Sequence, residues 1–267
     1  MKSVPAIRAV IFSAVRRILW PGIVPGLITG LFFLWTGCAS RNLNQPPLPN
    51  TLTAAERAAG WRLLFNGTNF DGWHNFKQDG IRPGWQIRDG TLDCVDARNA
   101  GDIVTTDRFD WFELQLDYNI SEAGNSGIMF HVTDAGNRVW ATGPEFQLED
   151  NVKAVDPIRC GWLYALYQPP LDEKTGKPLD ATKPVGEWNH VRLLVTPEKC
   201  LHEINGVNYF EYVLGSRDFT NRVAKTKFAK MPFFAKSNTG WLALQGDHGS
   251  VAFRNLKIRV LPGGFAK

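Results

Sequence analysis

Residues 111–120 read WFELQLDYNI, in which Phe112, Leu114, Leu116, Tyr118 and Ile120 alternate with Glu113, Gln115, Asp117 and Asn119. A period of two puts one set of side chains on a dry face and the other in water, which is the signature of a half-buried strand. Residues 85–95 hold two short runs around Asp89-Gly90. Residues 190–195 and 200–204 form a second pair, and Asn205-Gly206 precedes a further run over 207–213. Both dipeptides suit two-residue hairpin turns. Residues 241–245 and 250–260 close the series. The apolar phase of the last run switches between Phe253 and Leu256, which predicts a bulge at Arg254-Asn255. No amphipathic run of helical length appears between these strands. The pattern predicts an all-β domain of two packed antiparallel sheets, a sandwich or jelly roll.

The start of the chain has a different character. Residues 1–17 carry Lys2, Arg8, Arg16 and Arg17 and no acid, and residues 18–37 carry no charge. A basic region followed by an apolar one reads as an export signal. The apolar stretch is about as long as a bilayer-spanning helix, but Pro21 and Pro25 weaken a permanent helix. Leu34-Trp35-Thr36-Gly37-Cys38 resembles the lipobox of bacterial lipoproteins, in which the cysteine is acylated and becomes the new N-terminus. An uncleaved anchor helix is the alternative. Either way the basic flank keeps the N-terminus inside and the remainder outside. Ala39 and Ser40 after Cys38 resemble an outer-membrane destination, facing the periplasm or the cell surface. Residues 38–59 form a Pro-rich tether and a short helix near 53–59, with Thr53 as N-cap and Glu56 three residues on. The domain occupies 60–262, and 263–267 are a tail.

The formal charge of +4 is wholly that of the four basic residues in 1–37. The exported part is neutral and has no basic excess to drive nucleic-acid binding. Cys94, Cys160 and Cys200 lack metal-type spacing; they are buried thiols, or one disulfide and a leftover. No HxxxH or HExxH motif, EF-hand loop, phosphate loop or nucleophile elbow is present. No cofactor is identified; a structural calcium stays open, with no sequence feature that supports it. Aromatic residues dominate sandwich cores, so most tryptophans read as core. Trp140, Trp162 and Trp188 lie near polar, Gly-rich loops and are candidates to stack on a sugar.

A set of short motifs carries a resemblance. Leu64-Phe65-Asn66-Gly67 and Asp71-Gly72-Trp73 open it, followed by residues 85–92 (WQIRDGTL), 124–128 (GNSGI), 143–150 (GPEFQLED), 161–164 (GWLY), 183–189 (KPVGEWN), 204–206 (ING), 244–249 (LQGDHG) and 253–256 (FRNL). In this order, over about 60–261, they resemble the 3-keto-disaccharide hydrolase family, formerly DUF1080. The resemblance implies a concanavalin/laminin-G-like jelly roll, which agrees with the strand pattern. It implies a substrate already oxidised to a ketone at C3, and so a separate sugar-oxidising dehydrogenase. The family usually has Arg where this chain has His131, so substrate contact at that position would differ here.

A C3 ketone acidifies the C2 proton, so cleavage by β-elimination and rehydration needs a base, an oxyanion partner and a proton donor. It does not need the flanking carboxylate pair of ordinary glycosidases. His248 titrates near neutrality and is the first choice of base or acid, against a role capping its loop. Glu145 and Gln147, two apart on a strand, share a face. Arg254 is a candidate to stabilise an enolate, against a structural ion pair at the bulge. Asn125 suits hydroxyl binding or simply its turn. Asp150, Tyr164, Lys183, Trp188 and His131 complete the substrate-binding candidates. His74, His190 and His202 read as ordinary surface or strand residues. The alternative to an enzyme is a carbohydrate-binding or adhesion module on the same fold, which would scatter these groups around an open aromatic platform.

Overall fold

The computed structural model describes residues 48–267; the export signal, the lipobox and Cys38 lie outside the described residues. Two antiparallel sheets face one another. The larger contains β1 (Trp61–Leu63), β3 (Trp85–Arg88), β4 (Thr91–Cys94), β6 (Phe112–Ile120), β9 (Asn189–Val195), β10 (Cys200–Ile204), β11 (Val207–Tyr212) and β13 (Val251–Val260). Its order is β11-β10-β9-β6-β13-β4-β3, with β1 also on β13. The smaller contains β2 (Trp73–Asn75), β5 (Ile103–Phe109), β7 (Asn125–Val132), β8 (Glu145–Glu149) and β12 (Gly240–Leu244), in the order β2-β5-β12-β7-β8. This is the expected jelly-roll sandwich.

The alternation in β6 is what packs it. Phe112, Leu114, Leu116, Tyr118 and Ile120 point into the space between the sheets, where they meet Phe130, Phe146 and Leu148 of the smaller sheet. Glu113, on the outer face of β6, is also buried, because Arg192 and Arg259 each donate to it at 2.6 Å. Burial opposes its ionisation, yet those hydrogen bonds hold its pKa below the usual carboxylate range. Asp89-Gly90 and Asn205-Gly206 take positive φ throughout, as two-residue hairpins require. The bulge lies where predicted: the β13 register shifts between Arg254 and Lys257, and Asn255 has φ of 56°.

The short helix is α1 (Ala54–Ala58), closed by a reciprocal Thr53–Glu56 capping box. One feature departs from the sequence reading. A seven-residue helix over Arg217–Val223, followed by a 3₁₀ turn at Lys227–Lys230, fills the long connection between β11 and β12. His202 is fully buried, stacked on Phe146 at 4.3 Å and hydrogen-bonded to Gly161 O and Tyr212 OH. His190 pairs with Asp117 at 2.8 Å. Cys94, Cys160 and Cys200 are all buried free thiols, and burial pushes each up to about 12.

Asn50 fastens the entry of the chain to the bulge. Its N–H donates to Asn255 Oδ1 at 2.7 Å, Asn255 N–H donates back to Asn50 Oδ1 at 2.8 Å, and Asn50 Nδ2 donates to Gly90 O at 2.7 Å. Asn50→Ala leaves at least two of these groups without partners. It is expected to lower stability by about 1–3 kcal/mol, seen as a fall in thermal midpoint of several degrees. An unchanged midpoint would remove Asn50 from the stabilising set.

Candidate active site

Period two also decides which side chains of β8 face outward. Phe146 and Leu148 enter the core, so Glu145 and Gln147 project from the opposite face of the smaller sheet. That face is not open to water here. The segment after β8 folds back along its edge: Gln147 N–H donates to Trp162 O at 3.0 Å, Gly161 N–H to Gln147 O at 2.8 Å and Tyr164 N–H to Glu145 O at 2.9 Å. Space for the Glu145 carboxyl exists because residue 127 is glycine. A Cβ there would lie 2.2 Å from Glu145 Oε1. The Gln147 amide, oriented to satisfy its neighbours, donates to Glu145 Oε1 at 3.2 Å and to Ser126 O at 3.3 Å.

Above Glu145 is a cavity of about 300 Å³ lined by Asn125, Arg138, Trp140, Glu145, Asp156, Tyr164, Lys227, Gln245, Asp247 and His248. Four parts of the chain build it: β7 and β8 with the 3₁₀ turn between them (Val139–Ala141), the segment after β8, the 3₁₀ turn carrying Lys227, and the loop after β12. The last is anchored firmly. Gly246 O accepts the Cys94 thiol proton at 3.2 Å, Gly246 N–H donates to Asp102 Oδ1 at 3.3 Å, and a Cβ at Gly246 would lie 2.6 Å from Trp85 Cζ2.

The electrostatics divide the ionisable groups. Burial pushes the Glu145 carboxyl up to about 8, with the nearby Lys227 charge only partly offsetting it. His248 donates through Nδ1 to the Asp247 carboxylate, and this bond raises the imidazole above its ordinary range. Burial is the largest single influence on Asp247 and raises it, but the bond to His248, the His248 charge and smaller contributions together outweigh it, and the net shift is downward. Burial, with the Asp247 charge second, pushes Asp102 up to about 6. Tyr164 donates to Asp156 at 2.8 Å and is raised by burial first and this bond second. Lys227 Nζ stands 4.4 Å from the Tyr164 ring centre and 5.2 Å from that of Trp140. Near neutrality the cavity therefore holds a protonated carboxyl, an aspartate-oriented imidazole and two cations, Arg138 and Lys227. Among the described residues no group of three or more His, Cys, Asp or Glu side chains is arranged to hold a metal ion.

The structure brings Asn125, Trp140, Glu145, Tyr164 and His248 together, with Gln147 directly beneath. Other expected residues lie elsewhere. Arg254 is on the outer face of the larger sheet, 3.4 Å from Asp117 and 4.0 Å over the Trp188 ring, so the bulge ion pair and the cation–π contact occupy both. Lys183 donates to Trp188 O at 3.0 Å. Asp150 accepts from the N–H groups of Ala123 and Val152, each at 2.9 Å, and holds the turn. Trp162 lines a separate depression with Tyr167 and Arg222. His131 is 2 % exposed among Trp111, Phe112 and Phe130, its Nε2 donating to Asp110 O at 2.8 Å, and burial pulls it down to about 4. It is a neutral packing residue and does not line the cavity. Sequence reasoning missed Arg138, Asp156, Lys227, Gln245 and Asp247. Only the last two carried a signal, as neighbours of His248 in the 244–249 motif.

Glu145 leaves a mark on stability. Its pKa is about 4.5 when unfolded and about 8 when folded, so between those values the native state keeps a proton that the unfolded chain releases. This contribution to stability is whole below pH 4.5, falls as pH rises through the window, and is level above it. Glu145→Gln is expected to gain stability relative to wild type across that window, measured by urea unfolding at stepped pH. A difference that does not vary with pH would contradict the burial of an ionisable group there.

Residues 60–259 match the model of the 3-keto-alpha-glucoside-1,2-lyase-like domain. A Bacteroides thetaiotaomicron protein named 3-keto-disaccharide hydrolase is 27 % identical over 233 residues, covering 76 % of this chain and 79 % of its own. A crystal structure of a candidate glycosyl hydrolase from Parabacteroides distasonis is 32 % identical with a TM-score of 0.72, covering 80 % of this chain and all of that one. A second from the same organism is 25 % identical with a TM-score of 0.55, covering 75 % of this chain and 99 % of that one. The match to the domain model spans most of the chain, so the protein belongs to the 3-keto-alpha-glucoside-1,2-lyase-like family.

Proposed function

We propose that the protein cleaves glycosides whose sugar carries a ketone at C3, by elimination and rehydration. The observation that carries this reading is the pairing, in one cavity, of an aspartate-oriented histidine with a carboxyl kept protonated by burial. Family membership and the named relative support the substrate class. In its neutral form His248 donates its Nδ1–H to the Asp247 carboxylate, which leaves the Nε2 lone pair free to take the proton from C2. The enolate charge that develops faces Lys227 and Arg138. Expulsion of the C1 oxygen then requires a proton, and Glu145 holds one. Water adds at C1 of the resulting enone, giving a proton to the Glu145 carboxylate, while the His248 imidazolium returns a proton to C2. Both groups end as they began, and the net reaction is hydrolysis. A binding module would need no such acid–base pair.

The same reading extends to place and supply. The basic and apolar segment in 1–37 and the lipobox at Cys38 support an exported protein held to a membrane by lipid. Ordinary glycosides lack the ketone, so a sugar-oxidising dehydrogenase must act first. In cells given labelled palmitate, wild type is expected to incorporate label and Cys38→Ala to lose it. Label retained in the variant would contradict acylation at Cys38.

With a 3-keto-glucoside, kcat/KM is expected to rise as His248 loses its proton, above the ordinary imidazole range, and to fall as Glu145 loses its own near pH 8. Glu145→Gln should abolish the alkaline limb. His248→Ala should lower kcat/KM by about 10²–10⁴-fold, while Arg254→Gln, away from the cavity, should leave it within about twofold. Binding without turnover in the wild-type protein would sink the enzyme reading.

A further inference from the structure

Gln245 follows β12 and is held from both sides. Its N–H donates to Gly127 O at 3.0 Å, and its carbonyl accepts from Ser126 Oγ at 2.8 Å. Its side chain lines the cavity and is 6 % exposed. Yet Gln245 Oε1 is buried and accepts no hydrogen bond. A buried acceptor without a donor carries its full desolvation cost. Among the described residues four other buried side-chain atoms are without partners, on His131, Glu149, Thr239 and Arg259, and none of those residues lines this cavity. The nearby Gln147 makes the contrast, since its amide is engaged by Glu145 and Ser126. Gln245 therefore places a dehydrated acceptor without a partner in the wall of the cavity, on a backbone fixed from both sides.

We infer that Gln245 Oε1 accepts a hydrogen bond from a hydroxyl of the bound sugar, which makes Gln245 a specificity-determining residue. This rests on the keto-glycoside reading of the cavity. The partner must be a donor, which excludes the C3 ketone and the ring and glycosidic oxygens and leaves a hydroxyl. A site built to pair a hydroxyl rejects the analogue lacking it far more strongly than an apolar pocket does, because the protein group is then stranded. Gln245 is thus assigned to distinguishing sugars that carry this hydroxyl from those that have lost it, and not to moving the reacting protons.

The test is a cycle of protein and substrate changes. Nitrophenyl 3-keto-glucoside and its 2-deoxy, 4-deoxy and 6-deoxy forms are compared on wild type, Gln245→Met and Gln245→Glu, each first checked for an unshifted thermal midpoint. For wild type, one deoxy form is expected to lose roughly 10- to 100-fold in kcat/KM. Gln245→Met should lose a similar factor on the parent and then treat parent and that deoxy form alike. Gln245→Glu, which keeps an acceptor, should retain the discrimination. If no deoxy form is penalised in wild type, or Gln245→Met keeps the wild-type penalty, the inference falls while the enzyme reading stands. If wild type turns over none of these compounds, that reading fails. The same cycle is then read in dissociation constants by calorimetry: a penalty lost in Gln245→Met supports the hydroxyl contact, and absence of binding overturns it.

Discussion

The backbone pairing of residues 161–164 along the edge of β8 is the contact on which the site depends. Without it β8 would be an exposed edge strand, with unpaired polar groups and an outward carboxylate in water. With it, Glu145 loses its solvent and its affinity for a proton rises by several orders of magnitude. The same segment brings Tyr164 and Asp156 to the rim. One stretch of hydrogen bonds thus seals an edge, changes the chemistry of a carboxyl and builds a wall.

The two faces of the smaller sheet do different work under the same period. Its inner face supplies Phe130, Phe146 and Leu148 to a core shared with β6, and that packing makes the strand positions rigid. Its outer face inherits that rigidity and carries both a second, smaller apolar cluster (Val104, Met129, Val132, Val139 and Ala243) and the polar groups of the site. Glycine at 127 is the clearest sign, because a strand interior ordinarily favours a side chain that packs, and here the space is given to the Glu145 carboxyl.

Much of this was legible in the chain. The alternation in β6, the two hairpin dipeptides and the phase switch at Arg254-Asn255 are local effects of backbone geometry, and they appear where predicted. Glu145 and Gln147 on one face followed from strand periodicity alone. Lys227, Arg138 and Asp156 were illegible because loops bring them in, and no local rule says where a lysine in a 3₁₀ turn will point. Arg254 misled for an instructive reason. Charge in a motif beside an apparent irregularity suggests function, but the bulge itself required Asp117, Asn255 and Arg254 for its own satisfaction. His131 misled because position after a glycine turn says nothing about which way a left-handed residue turns its ring.

The three thiols carry a consequence for how the protein can be made. Each is buried within the packed sandwich and so little ionised that exchange with an oxidant or a mixed disulfide is slow. The fold is closed by apolar contact and by hydrogen-bonded turns rather than by covalent cross-links. Its maturation therefore requires no disulfide-forming catalyst, and the finished domain is indifferent to whether its surroundings are oxidising or reducing.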